Sequence, residues 1–220
     1  KFLSSQIRIA EKTDEEIREI LQELKRLHFN GLLYESLDER VLNLCDELGL
    51  LVSLRHVFSP LVRGGDYLPG VPNRGIPFAA YLSTKYADAR RELESTISRV
   101  VRKFRNHPSL VIWMLNPLLC WNPNWINPNR IDEETRQSDV VLASLREEAF
   151  LRREDPTRIV IQSMGSNTGA VISCNPYPTF SNQPDEWADW PMRWAERRIK
   201  PLLLEEVALP FVFNFATFHS

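Results

Sequence analysis

At 220 residues, with 43% hydrophobic residues, 25% charged residues and a formal net charge of −2, the chain has the composition of one sizeable globular domain. That balance shows no sign of disorder and offers no strongly basic surface for a nucleic-acid or anionic-membrane partner. No run approaches the ~20 consecutive apolar residues of a membrane-spanning helix. The three widely spaced cysteines, Cys45, Cys120 and Cys174, match neither a zinc-binding pattern nor a disulfide framework.

In chain order, a weak strand near 6–10 precedes a helix over 14–28. There Ile17, Ile20, Leu21, Leu24 and Leu27 share one face and acidic residues fill the first turn. Asn30-Gly31 then turns the chain into the short apolar run Leu32-Leu33-Tyr34. A second helix over about 38–48 carries Val41, Leu44, Cys45 and Leu48 inward and stops at Gly49, a residue suited to the left-handed end of a helix. Leu50 to Leu54 follows as a buried strand. A long loop over about 57–80, with Gly64-Gly65, Gly70, Gly75 and several prolines, has the length of a functional segment. Helix 86–105 uses Leu93, Ile97, Val100, Val101 and Phe104, and Leu110 to Leu115 is the strongest strand. A second irregular stretch, 116–131, rich in Asn, Pro and Trp, leads to a helix at about 133–153. The strands 158–161 and 170–173 follow, then a Trp-rich helix near 185–198, then Leu202-Leu203-Leu204. Arg90-Arg91 and Arg152-Arg153 lie in Glu-rich helical stretches and read as solvated helix faces.

Continuous apolar strands are what burial on both faces of a parallel sheet requires. Alternating strands and helices then allow an open doubly wound sheet or a closed barrel. No Gly-rich turn follows the early strands, as a dinucleotide site would need, and the long loops follow the C-terminal ends of strands. The expectation is a single α/β domain over 1–220, a (β/α)8 barrel of which about seven strands are present, with the eighth missing. The chain begins at Lys1 without a signal peptide, as a processed or trimmed piece would, which leaves its cellular location open.

Five segments, in order, resemble the catalytic barrel of family-two glycoside hydrolases, the β-galactosidase and β-glucuronidase group. Arg40 to Val52 (RVLNLCDELGLLV) is similar to that family's second helix and third strand, and Phe104 to Trp113 (FRNHPSLVIW) to its approach to strand four. Asp155-Pro156-Thr157-Arg158 resembles the turn before strand five, and Asn175-Pro176-Tyr177-Pro178 the end of strand six. Lys200-Pro201-Leu202-Leu203-Leu204-Glu205-Glu206 resembles the strand-seven segment that ends in the nucleophile.

The resemblance implies a retaining glycosidase, in which one carboxylate attacks the anomeric carbon and another protonates the leaving oxygen from about 5–5.5 Å away. It assigns the nucleophile to Glu206. Because side chains alternate along a strand, Glu205 is then expected toward the helices or the rim. On their own, the two glutamates also fit a strand-end pair in salt bridges with residues such as Lys200. Asn116 matches an asparagine that contacts the sugar, and Tyr177 a tyrosine that hydrogen-bonds the nucleophile. The family's acid/base glutamate falls on Pro117, which has no proton to give. Glu35, Asp66, Asp185 and Asp189 lie where a substitute acid would stand, and nothing in the spacing selects among them. An expected Arg and His fall on Leu33 and Ser36, and the acidic residue of strand three falls near Leu54-Arg55.

His56, just past strand three, reads as a pocket residue or as an ordinary loop histidine. Flat indole faces pack against the C–H faces of sugars, so Trp121, Trp125, Trp187 and Trp190 are candidate sugar platforms, or else loop seals, with Trp113 and Trp194 as core. Two functions follow: a divergent β-glycosidase, or a non-catalytic relative that binds carbohydrate or serves as a structural domain of a longer chain. Further β-sandwich domains of that chain are expected partners, since family relatives carry them before the barrel. No metal or cofactor is expected, because the sequence shows neither a His/Asp/Glu metal cluster nor a phosphate-cradling glycine loop.

Overall fold

The computed structural model describes residues 4–6, 12–56, 87–115, 138–163, 169–174, 190–197 and 200–205. Strands β1 (Ser4–Gln6), β2 (Gly31–Tyr34), β3 (Leu51–His56), β4 (Leu110–Leu115) and β5 (Ile159–Gln162) form one sheet in sequence order. Strands β6 (Ile172–Cys174) and β7 (Leu202–Leu204) form a second. Every pairing is parallel. The two sheets meet where Ser173 Oγ donates to the Gln162 carbonyl. Between the strands run helices α1 (Asp14–Arg26), α2 (Glu39–Leu48), α3 (Ala87–Phe104), α4 (Ser138–Glu154) and α5 (Trp190–Arg197). Strand order equal to chain order, with crossover helices between neighbours, is the arrangement of a (β/α) barrel and not of a doubly wound sheet, whose order reverses. Seven strands stand among the described residues. None of the described helices is long and apolar enough to cross a membrane.

Local chemistry explains the element boundaries. Thr13 caps α1 through a reciprocal pair: its hydroxyl accepts from the Glu16 N–H, while the Glu16 carboxylate accepts from the Thr13 N–H. Ile17, Leu21 and Leu24 are buried as their spacing predicts, but Leu27 is half exposed. The helix stops at Arg26 and His28 turns the chain with a positive φ of 65°, which takes Leu27 off the stripe. Gly49 ends α2 at φ 69°, in the left-handed region. The first strand lies at Ser4–Gln6, ahead of the run near 6–10.

One core fills the space between helices and sheet. Ile17 and Leu21 of α1, Val41 and Cys45 of α2, and Ile97, Val101 and Phe104 of α3 pack on Leu32, Tyr34, Val52, Leu54, Trp113, Leu115 and Val160. The Cys45 thiol is reduced and enclosed there, and burial pushes its pKa up to about 12. A smaller cluster joins Ile172 to Trp194, with Leu202 and Leu204 packed against it.

The end of the barrel where the strands begin is tied by two aspartates, Asp155 buried and Asp46 half-buried. Asp46 accepts the Ser109 N–H at 2.8 Å, and its other oxygen lies 2.6 Å from His107 Nδ1. Asp155 accepts the Trp113 indole N–H at 2.8 Å, the Thr157 N–H and hydroxyl, and Arg158 Nη1 at 2.9 Å. Arg158 also donates to the Leu110 and His107 carbonyls. Burial alone would raise both carboxyls. The bonds from Ser109 and His107 to Asp46, and from Thr157, Trp113 and Arg158 to Asp155, outweigh it and hold both below the usual range.

Candidate functional site

Side-chain alternation sorts each strand into a helix-facing and an interior face. Val52 and Leu54 belong to the core, so Ser53 and Arg55 point to the interior. Tyr34 is core, so Glu35, one step past the end of β2, shares the Arg55 face. On β5 Val160 is core and the Gln162 amide donates to Glu148 on α4, which turns Ile161 and Ser163 inward. On β7 Leu202 and Leu204 pack toward α5, leaving Leu203 and Glu205 for the interior. A register shift between Val52 and Ser53 sets Arg55 beside Met114 and His56 beside Leu115.

These interior side chains meet at the C-terminal ends of the strands. Arg55 turns both Nε and Nη2 to Glu35 Oε1. Its Nη1 lies 3.9 Å from Glu205 Oε2, which also accepts the Ser163 hydroxyl at 2.5 Å. The Arg55 side chain is 9% exposed and that of Glu205 0%, whereas Glu35 is 43% exposed. Thus β2, β3, β5 and β7 each contribute one group to a single polar cluster, whose three ionic members are two carboxylates and one guanidinium. Beneath it on β3, Ser53 Oγ is buried without a hydrogen-bond partner among the described residues.

This geometry corrects the expectation for Glu205. Its carboxylate faces neither helices nor rim; it is enclosed on the interior side, because β7 keeps the parity set by Leu202 and Leu204. Of this pair of glutamates Glu205 alone is described, and its ion-pair contact is with Arg55 from another strand; Lys200 Nζ donates to the Gly169 carbonyl.

Of the predicted site residues, Glu206, Asn116, Tyr177, Trp121, Trp125 and Trp187 lie outside the described residues, as do Pro117, Asp66, Asp185 and Asp189. His56 ends β3 and Trp190 opens α5; their side chains are likewise outside the description. Trp113 and Trp194 are core, as expected. Sequence reasoning missed the role of Arg55 and Ser163. The available signal was a charged residue at an interior position of the apolar run Leu51–His56, which demands a partner inside the barrel. Among the described residues no group of three His, Cys, Asp or Glu could hold a metal ion.

Comparison with known proteins places this geometry in a family. Residues 35–212 match the model of the glycosyl hydrolases family 2 TIM barrel domain. No curated protein matches the chain in sequence. Among solved structures, the β-glucuronidase of Ruminococcus gnavus is similar at a TM-score of 0.60 and 14% identity, over 97% of this chain and 38% of that one. The Bacteroides uniformis β-glucuronidase 2, covalently bound to cyclophellitol-6-carboxylate aziridine, aligns at 0.57 and 19% identity over 92% of this chain and 24% of its own. A β-D-mannosidase from Dictyoglomus thermophilum aligns at 0.50 and 16% identity over 82% of this chain and 21% of its own. The chain therefore spans less than two-fifths of the length of each of these proteins.

Proposed function

The chain belongs to the glycosyl hydrolases of family 2, in that family's TIM barrel domain, and from this premise we propose that its C-terminal mouth takes a β-glycoside and hydrolyses it with retention. Glu206, the residue after the enclosed Glu205, is the nucleophile in this reading, which requires the chain to leave regular strand alternation beyond the end of β7 at Leu204. Asn116 and Tyr177 hold the sugar and the nucleophile, while Trp121, Trp125, Trp187, Trp190 and His56 line the approach. The observation that supports it is the convergence of polar side chains from β2, β3, β5 and β7 at the end of the barrel where enzymes of this fold build their sites.

The test is covalent. A fluorinated aryl β-glycoside incubated with the full-length protein is expected to label Glu206, and Glu206→Gln to lower kcat by at least about a thousandfold. Undiminished turnover in that variant would remove the nucleophile.

A second reading has its own observations. Pro117 stands at the acid/base position, and Glu35, one of the residues that could have replaced the acid, has its Oε1 engaged by Arg55 Nε and Nη2. Both favour a barrel that binds carbohydrate, or serves structurally in the longer chain, without cleaving it. Sugar binding with neither turnover nor label is the outcome that selects this reading.

A further inference from the structure

We infer that Ser163 is a positioning residue: it ties the end of β4, which leads into Asn116, to the end of β7, which leads into Glu206. In this way it sets the spacing of the two segments. The inference deepens the reading of Glu206 as nucleophile and Asn116 as sugar contact, and rests on it. Ladder hydrogen bonds fix only neighbouring strands, and β4 and β7 belong to different sheets. Their relative placement at the mouth therefore falls to side-chain contacts and packing. Ser163 supplies a bond on each side. Its N–H donates to the Leu115 carbonyl at 2.7 Å, which carries the β4–β5 ladder one step past β5. Its hydroxyl donates to Glu205 Oε2 at 2.5 Å, across to the strand end of the second sheet. Consecutive Cα atoms stand ~3.8 Å apart, so holding Leu115 and Glu205 holds the points from which Asn116 and Glu206 start.

Ser163 is itself held. The Gln162 amide before it donates to Glu148 on α4 at 3.1 Å, and the Gln162 carbonyl accepts the Ser173 hydroxyl from β6. Ser163 and the Glu205 carboxylate are both fully buried. Away from water, a hydrogen bond to a carboxylate is strong and meets no solvent competitor. Arg55 Nη1, 3.9 Å from the same carboxylate oxygen, supports Glu205 from β3. An alanine would occupy nearly the same volume, so the hydroxyl is what serine adds at this position. Misplacing a reacting group by about 1 Å can cost about a hundredfold in rate. One lost tie is therefore enough to be read in kcat.

The experiment compares Ser163→Ala and Ser163→Thr with the wild-type full-length protein. With an aryl β-glycoside, Ser163→Ala should lower kcat at least about tenfold and leave KM within about threefold. Ser163→Thr keeps the hydroxyl and should recover most of that loss. Hydrogen exchange supplies a readout that needs no turnover. The amides of β7 should exchange at least about fivefold faster in Ser163→Ala, with those of the turn from Asp155 to Arg158 unchanged. Wild-type kcat or wild-type β7 exchange in Ser163→Ala overturns the inference. Equal acceleration at β7 and at the turn also overturns it, because that is the mark of general destabilisation. A loss that Ser163→Thr does not recover assigns the effect to packing and overturns the role of the hydroxyl. A wild-type protein that never turns over the glycoside ends the hydrolytic reading, and faster β7 exchange in Ser163→Ala then leaves the tie standing.

Discussion

The two ends of the barrel treat buried charge in opposite ways. Where the strands begin, Asp46 and Asp155 are each met by several donors, most of them backbone groups or neighbours within a few residues, and Arg158 divides its donors among one carboxylate and two carbonyls. Where the strands end, one guanidinium faces two carboxylates from different strands, and a serine hydroxyl supplies part of the remainder. The first arrangement holds the loops between helices and strands at fixed geometry. The second gathers charged groups from three strands at the end where enzymes of this fold build their sites. Stability and function are separated in this way along the axis of barrels generally.

The comparison is broken or sharpened most directly at Asp155. Asp155→Ala leaves the Trp113 indole N–H and the Arg158 guanidinium without their acceptor and is expected to remove about 3–5 kcal/mol of stability by urea denaturation. The same network sets the response to acid. Because Asp46 and Asp155 are held below their usual range, their contribution is present above the unfolded carboxyl value. It is lost as pH falls through the folded values, below about pH 4. Denaturation midpoints measured from pH 6 downward should drop there, and Asp155→Asn should flatten the drop.

A smaller effect is expected at the mouth. Arg55→Met leaves the enclosed Glu205 carboxylate with Ser163 but without its guanidinium, a loss of about 2 kcal/mol. A loss as large as that of Asp155→Ala would make the mouth a structural brace like the base and erase the contrast. Smallest is Gly49→Ala, at the turn into β3. Among the described residues no atom lies within 4 Å of the added methyl, so the strain of φ 69° is what the change adds, about 1 kcal/mol in the same assay.

Part of the base was legible in the sequence, where contacts are short-range or belong to periodic stripes; the bonds of Asp46 to Ser109 and of Asp155 to Trp113, 63 and 42 residues apart, were not. Val41, Leu44 and Cys45 read as buried from spacing alone, and Gly49 as a helix end from its position after Leu48. Asp155-Pro156-Thr157-Arg158 carries its own cap, with Thr157 and Arg158 both bound to Asp155. The mouth was less legible. Arg55 and Glu35 are 20 residues apart, and Ser163 and Glu205 are 42 apart. No local pattern pairs them.

The sequence by itself determined the alternation of strands and helices, the apolar faces and the ordered family segments, since each rests on periodicity or on contacts between near neighbours. Tertiary structure alone decided which face the close of β7 presents. Alternation forbids Glu205 and Glu206 from sharing a face along a regular strand but does not say which points inward, and the packing of Leu202 and Leu204 against Ile172 and Trp194 turns Glu205 to the interior. It also decided that Arg55, an odd charge in an apolar run, would find its partners on two other strands. Glu35 comes from the neighbouring strand, while the curvature of the parallel sheets brings the end of β7 to Arg55.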